Sequence, residues 1–163
     1  MSELPNIDFS ILTKSEKYHY FHASWPQLWD NQIPTYANLN NVYAFMRQLF
    51  EWWWVGNYWV QNHCLKLGAF QGDPACTIID FGKGVCGTCW RETKSIVVSN
   101  VHEFPGHIAC SSSTNSEIVV PIFNQSGKFI GVLDVDSVRF NDFDDSDRIQ
   151  LELFCSKLAP LLS

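Results

Sequence analysis

Apolar positions along this chain change their spacing from one segment to the next, and each change marks an element. Between Tyr36 and Glu51, the residues Leu39, Val42, Tyr43, Met46, Leu49 and Phe50 recur at steps of three and four, which is one face of a helix. Ser10 to Asp30 carries a weaker helical pattern that breaks near Pro26. The middle then switches to short β-rich runs bounded by Asn, Gly, Asp and Pro: Trp52 to Val60, Cys64 to Phe70, Cys76 to Asp80 and Ser95 to Val98. A glycine-rich bend from Gly82 to Glu92 has room for a short helix. EIVVPIFNQSGKFIGVLDVDS reads as a hairpin whose two apolar runs meet across a Gln-Ser-Gly turn. In the closing DDSDRIQLELFCSKLAPLL, an acidic cap precedes Leu151, Phe154, Leu158 and Leu161 on one stripe, a final amphipathic helix.

Helices at both ends with hairpin-linked strands between them predict one α+β domain over residues 1–163, of which the helical segment 1–35 is the least defined. The terminal helices pack together on one face of an antiparallel sheet. The long connection from Asn100 to Ser116 is left to cover the other face, which puts Cys110 over the sheet.

Composition narrows the function. With 46% apolar and 17% charged residues among 163, the chain buries a substantial core. A net charge of -6 without any Lys/Arg run argues against a nucleic-acid surface. WWWVGNYWV is too short and interrupted to span a bilayer, and MSELPNIDFS lacks the pattern of a secretory signal. The expected location is the cytoplasm, with nuclear access left open. Six cysteines in a reducing compartment point to catalysis, redox chemistry or metal binding rather than to structural bridges.

The cysteines sort by context. Cys64 in a strand and Cys155 in the last helix read as packing residues. Cys86 and Cys89 form a CxxC pair, but a second pair is missing and the spacing of His102, His107 and Cys110 matches no zinc pattern, so no metal and no cofactor is expected. Cys89 reads as a turn filler. Cys76, Cys86 and Cys110 lie in or beside loops that can meet above the sheet. Cys110, in HEFPGHIACSSSTNSEIVVP, sits among hydroxyl residues and exposed amides, close to His107, surroundings that favour a thiolate.

The hairpin adds three carboxylates. Pairing Asn124 with Gly127 places Glu117 opposite Asp134, and pairing Gln125 with Lys128 places it opposite Asp136. In either register Glu117, Asp134 and Asp136 share a face. Like charges there oppose folding, so the face is either solvated or a cation site for an ammonium group or a metal. Crowding raises at least one carboxyl pKa, which lets a protonated carboxyl donate to a ligand oxygen.

GAFQGDPACTIIDFGKGVCGT, VHEFPGHIACSSSTNSEIVVPIF and GVLDVDS together resemble the free methionine-(R)-sulfoxide reductases, enzymes built on a GAF domain. The likeness runs from about Tyr36 to Leu153. It implies a six-stranded antiparallel sheet with a loop-covered ligand pocket. It also implies Cys110 as the catalytic thiol, Cys76 as its resolving partner and Cys86 as an assisting or structural cysteine. WVGNY supplies Trp54 and Tyr58 to the pocket, with Asn57 in place of an aromatic, and Ser111 replaces a common aspartate after the catalytic cysteine. Glu117, Asp134 and Asp136 fall on the family's substrate-binding carboxylates, with Glu117 as proton donor. The implied reaction reduces free L-methionine (R)-S-oxide through a sulfenic acid and a disulfide that thioredoxin re-reduces. Two other readings stand beside it: a ligand-binding sensor without turnover, and a thiol redox sensor. A homodimer is compatible with the sequence.

Overall fold

The computed structural model describes residues 8–106 and 112–162. Its centre is a six-stranded sheet in the order β3-β2-β1-β6-β5-β4, antiparallel throughout, from β1 (Trp54–Gln61), β2 (Cys64–Gln71), β3 (Ile78–Asp80), β4 (Ile96–Val98), β5 (Ser116–Phe123) and β6 (Phe129–Ser137). The helices are α1 (Lys14–Ser24), α2 (Thr35–Phe50), α3 (Gly84–Glu92) and α4 (Asp145–Leu158). Strands β3 and β4, three residues each, form the two edges.

The periodic segments become the helices that cover one face. Leu39, Val42, Met46 and Leu49 of α2, Phe21 of α1 and Leu151 and Phe154 of α4 bury against Val55, Ile118, Val120, Leu133 and Val135 of the sheet. Each helix is closed by its own local chemistry. Thr13 and Glu16 form a capping box on α1, and Asp144 and Asp147 form another on α4. Glu51 ends α2 in the left-handed conformation, its amide 2.8 Å from Arg47 O. Asp147 also ties α1 to α4: fully buried, it accepts from Lys14 Nζ at 2.6 Å and Tyr18 Oη at 2.7 Å.

Turn chemistry sets the pairing of the strands. Asn62 and His63 both have positive φ and join β1 to β2 in a two-residue turn. The β5–β6 turn closes through Gly127 N to Asn124 O at 2.9 Å, one of the expected pairs, and through Asn124 N to Lys128 O, also at 2.9 Å. A register irregularity between Ile122 and Phe123 then restores the pairing in which Glu117 stands opposite Asp136. Pro121 is tolerated in a nearly all-buried strand because β4 pairs only with residues 117 to 119 of β5, so no ladder bond is lost on that side.

The opposite face carries a helix in addition to the connection expected there. The cover includes helix α3, whose Val85, Cys86 and Cys89 pack with Val119, Val132, Ile79 and Tyr58. The connection contributes the buried Val101 and Thr114, and its residues His107, Cys110 and Ser111 lie outside the described residues. Cys89 is therefore a core residue of α3, 0% exposed, rather than a turn filler. No helix among the described residues is long and apolar enough to cross a membrane.

Candidate active site

On the covered face, the pairing of strands aligns side chains in rows. Val98 of β4, Glu117 of β5, Asp136 of β6 and Trp54 of β1 occupy successive positions across the sheet. In the next row Val119, Asp134 and Gly56 are neighbours. Antiparallel partners project to the same side, so these two rows bring all three carboxylates and Trp54 to one surface. Tyr58, two positions beyond Gly56, joins them. Asn57 lies between these positions and points to the helical face, where Tyr43 Oη donates to its Oδ1 at 3.2 Å.

Above the rows lies a cleft lined by Trp54, Tyr58, Ile79, Glu117, Asp134 and Asp136 from the sheet. The β2–β3 loop adds Asp73, Pro74 and Ala75, and the start of α3 adds Lys83, Gly84, Val85 and Cys86. Thr114 completes the wall. Glycines hold Trp54 in place. A Cβ on Gly56 would strike its ring and would meet Phe70 Cβ at 2.6 Å. A Cβ on Gly72, at φ 138°, would meet Trp54 Cδ1 at 2.5 Å. Trp54 Nε1 donates to Asp73 O at 3.0 Å, and the ring stacks on Phe70 at 5.5 Å and on Tyr58 at 6.1 Å between centroids.

The carboxylates are crowded and dry. Glu117 and Asp134 are each 6% exposed, and Asp136 is half-buried. Burial first, and then the charges of Asp134 and Asp136, push the Glu117 pKa well above the usual carboxylate range. Burial raises Asp134 to about 7, although Cys86 and Glu117 beside it favour its charged form. Asp136 is also pushed up, by burial and by the Asp134 charge, with Thr114 opposing through a hydrogen bond. The distribution makes Glu117 the proton holder and Asp134 the acceptor, a cluster ready for a cation on one side and able to donate on the other. Asp134 Oδ1 has no hydrogen-bond partner among the described residues.

Each cysteine has a distinct setting. Cys76, half-buried ahead of β3, is disulfide-bonded, whereas Cys64, Cys86, Cys89 and Cys155 carry free thiols. Cys86 lies on the buried side of α3, in the cleft wall, and burial followed by the Asp134 charge pushes its thiol pKa well up. Cys89 and Cys155 are likewise raised by burial and sit in packed cores. His102 is exposed and its Nε2 lies 3.0 Å from Asn115 Oδ1, away from the cleft lining. Lys83 and Thr114 were missed in the sequence, although the bend from Gly82 to Glu92 was given room for a short helix. The signal for Lys83 was the GKG run, whose Gly84 adopts positive φ where α3 starts.

Comparison with known proteins gives this geometry its context. A family profile described as the GAF domain matches residues 39–163. GAF domain-containing protein A of Dictyostelium discoideum is 45% identical, across 96% of this chain and 97% of its own length. The free methionine-R-sulfoxide reductase of Saccharomyces cerevisiae is 40% identical, across 94% of this chain and 88% of its own. The structure superposes on free methionine-R-sulfoxide reductase from Neisseria meningitidis in complex with its substrate with a TM-score of 0.82 and 41% identity, covering 91% of this chain and 92% of that one. With its fold, its rows of carboxylates and relatives at this identity over most of its length, the chain belongs to the free methionine-R-sulfoxide reductases, a family of GAF-domain enzymes.

Proposed function

We propose that this protein reduces free L-methionine (R)-S-oxide to L-methionine, with Cys110 as nucleophile, Cys76 as resolving thiol and thioredoxin as the reductant in the cytoplasm. The observation that carries the reading is the set of Glu117, Asp134 and Asp136 on one wall of a cleft whose other sheet residues are Trp54, Tyr58 and Ile79. A free amino acid sulfoxide presents an ammonium group, a carboxylate, an S=O dipole and a methyl group, and the cleft has a chemical match for each.

Asp134 and Asp136 suit the ammonium, since a buried carboxylate pair is tolerable only beside a compensating cation. Lys83 and the open amides of the first turn of α3, which has no side-chain cap, suit the carboxylate. Trp54 and Tyr58 enclose the methylthio end. Glu117, protonated in the apo cleft, donates to the S=O oxygen and makes the sulfur more electrophilic.

The chemistry then balances in three steps. The Cys110 thiolate attacks the sulfoxide sulfur, the oxygen takes the Glu117 proton and passes to Cys110 as sulfenic acid, and the sulfide leaves as methionine. The Cys76 thiol condenses with the sulfenic acid, forming a disulfide and releasing water, and thioredoxin's dithiol reduces that disulfide. Two facts support Cys76 over Cys86 in this role: Cys76 is disulfide-bonded, and Cys86 is free with a thiol pKa raised by burial. The enzyme reading is favoured over a binding module because the cleft joins a proton donor to a cation-binding pair.

The test compares free, N-acetylated and peptide-embedded methionine sulfoxide. Acetylation removes the ammonium, so kcat/KM is expected to fall by the equivalent of about 2–5 kcal/mol, as when one partner of a buried charge pair is lost. Equal efficiency on free and acetylated substrates overturns the role of the carboxylates.

A further inference from the structure

Among the described residues, one group of metal-type donors converges: Cys86 Sγ, a Glu117 carboxylate oxygen and an Asp134 carboxylate oxygen all lie within 4.8 Å of one another, and all three residues are buried. Of the CxxC pair only Cys86 takes part, and Cys89, 0% exposed in the core, does not. The three donors come from separate elements, α3, β5 and β6, so the fold itself brings them together. A second, independent sign points to a ligand: Asp134 Oδ1 is buried, lines the cleft and has no hydrogen-bond partner among the described residues.

The geometry points to a divalent-metal site of the zinc class at Cys86, Glu117 and Asp134, whose occupation excludes the substrate's ammonium group from the cleft. Tetrahedral coordination with one thiolate and two carboxylates sets donor separations of about 3.3–3.8 Å, inside the 4.8 Å within which the three donors already stand. Three protein donors leave a fourth position open toward the cleft for water, the pattern of an exchangeable rather than a structural metal. The thiolate selects a borderline or soft ion over Mg²⁺ and Ca²⁺, which require oxygen shells. Binding releases the thiol proton to solvent, and the ion's two positive charges offset the crowding that otherwise holds the carboxyls protonated. The metal and the ammonium then compete for the same Asp134 oxygen. The coordination stands on these three residues alone, whereas the competition rests on the substrate reading above.

Co²⁺ is the probe, added to protein in the disulfide form, where the thiols of Cys64, Cys86, Cys89 and Cys155 remain. One Co²⁺ per chain is expected, with a thiolate-to-cobalt charge-transfer band that Zn²⁺ abolishes by displacement. Cys86→Ser is expected to remove the band, and Asp134→Asn to weaken Co²⁺ affinity at least about 10–100-fold, while Cys64→Ser leaves both unchanged. Circular dichroism accompanies each variant, and Asp134→Asn carries the test if Cys86→Ser loses its native signal. Failure of wild type to bind, a band that survives in folded Cys86→Ser, or unchanged affinity in Asp134→Asn overturns the site. Free methionine sulfoxide is expected to raise the apparent Co²⁺ dissociation constant and the N-acetylated form to leave it unchanged. A metal that both displace equally, or neither displaces, overturns the competition and the ammonium reading with it, while the band and its loss in the variants decide the coordination separately.

Discussion

Glu117 stands directly opposite Asp136 across the β5–β6 ladder, a like-charge pairing that sheets ordinarily avoid. The pairing survives because protonation removes one charge. Replacing Glu117 with Gln keeps the shape and a donor but removes the acid proton. The expected outcome is a fall in kcat of about 10²–10³-fold with KM near that of wild type, measured by methionine release with dithiothreitol as reductant.

The raised pKa of Asp134 makes folding sensitive to pH. Its ordinary value is 3.8 and its folded value about 7, so the native state holds a proton that the unfolded chain has lost between those limits. Stability is therefore full below about pH 4 as far as this group is concerned, and it declines as pH rises through about 7. Asp134→Asn removes that decline. At pH 8 the variant is expected to gain about 2 kcal/mol, or about 4–8 °C in Tm by calorimetry, while losing activity on the free amino acid.

The thiols separate by kinetics. Cys110→Ser is expected to abolish turnover with unchanged circular dichroism, since a hydroxyl is a far weaker nucleophile. Cys76→Ser is expected to release one methionine per chain in a single turnover and to leave a sulfenic acid that dimedone traps. Steady cycling at the wild-type rate in Cys76→Ser would move the resolving role to another thiol.

Trp54 depends on the absence of a side chain at Gly72. Ala there places a Cβ on the ring edge and forces a φ of 138° on a residue that disfavours it. The ring must shift, and KM for methionine sulfoxide is expected to rise about tenfold, given that about 1.4 kcal/mol of misfit is a factor of ten. Titration of Trp fluorescence with methionine measures the same loss at equilibrium.

Asp147 offers the contrast of a buried carboxylate with all its partners in place. Lys14, Tyr18 and the Asp144 amide surround it. Asp147→Ala leaves these groups unpaired and is expected to cost about 2–4 kcal/mol, read as a lower urea midpoint. The folded fraction should keep wild-type kcat/KM, since Asp147 does not line the cleft.

Much of this was legible in the order of residues, and the exceptions have physical causes. The apolar periodicity of Leu39 to Phe50 located α2 within a residue, because a long amphipathic stripe has one solution. The shared face of Glu117, Asp134 and Asp136 followed from parity, although the Asn124–Gly127 turn pair occurs together with the register that sets Glu117 opposite Asp136, a combination the sequence reading did not foresee. Two irregularities compensate there, and side-chain alternation cannot register a compensated pair. Cys86 and Cys89 were harder. The bend from Gly82 to Glu92 was given room for a short helix, and α3 forms there, but nothing in the GxGxC pattern says that this helix lies on the sheet and buries both thiols. Thr114 was hidden in a serine run, where nothing distinguishes a residue that contacts Asp136 from its solvated neighbours.

The three-residue strands at the two edges of the sheet bear on what happens when many copies meet. IVVPIF in β5 is the apolar, uncharged kind of segment that stacks into cross-β fibrils when chains expose it. In the folded protein its first part lies behind the three-residue edge strand Ile96 to Val98, and Pro121, which has no N–H to offer, interrupts the stretch that β4 leaves unpaired. Folded copies thus present little for one another to extend. Aggregation is expected to follow the population of unfolded chains, and Pro121→Val should hasten fibril formation on heating even where it leaves the native sheet intact.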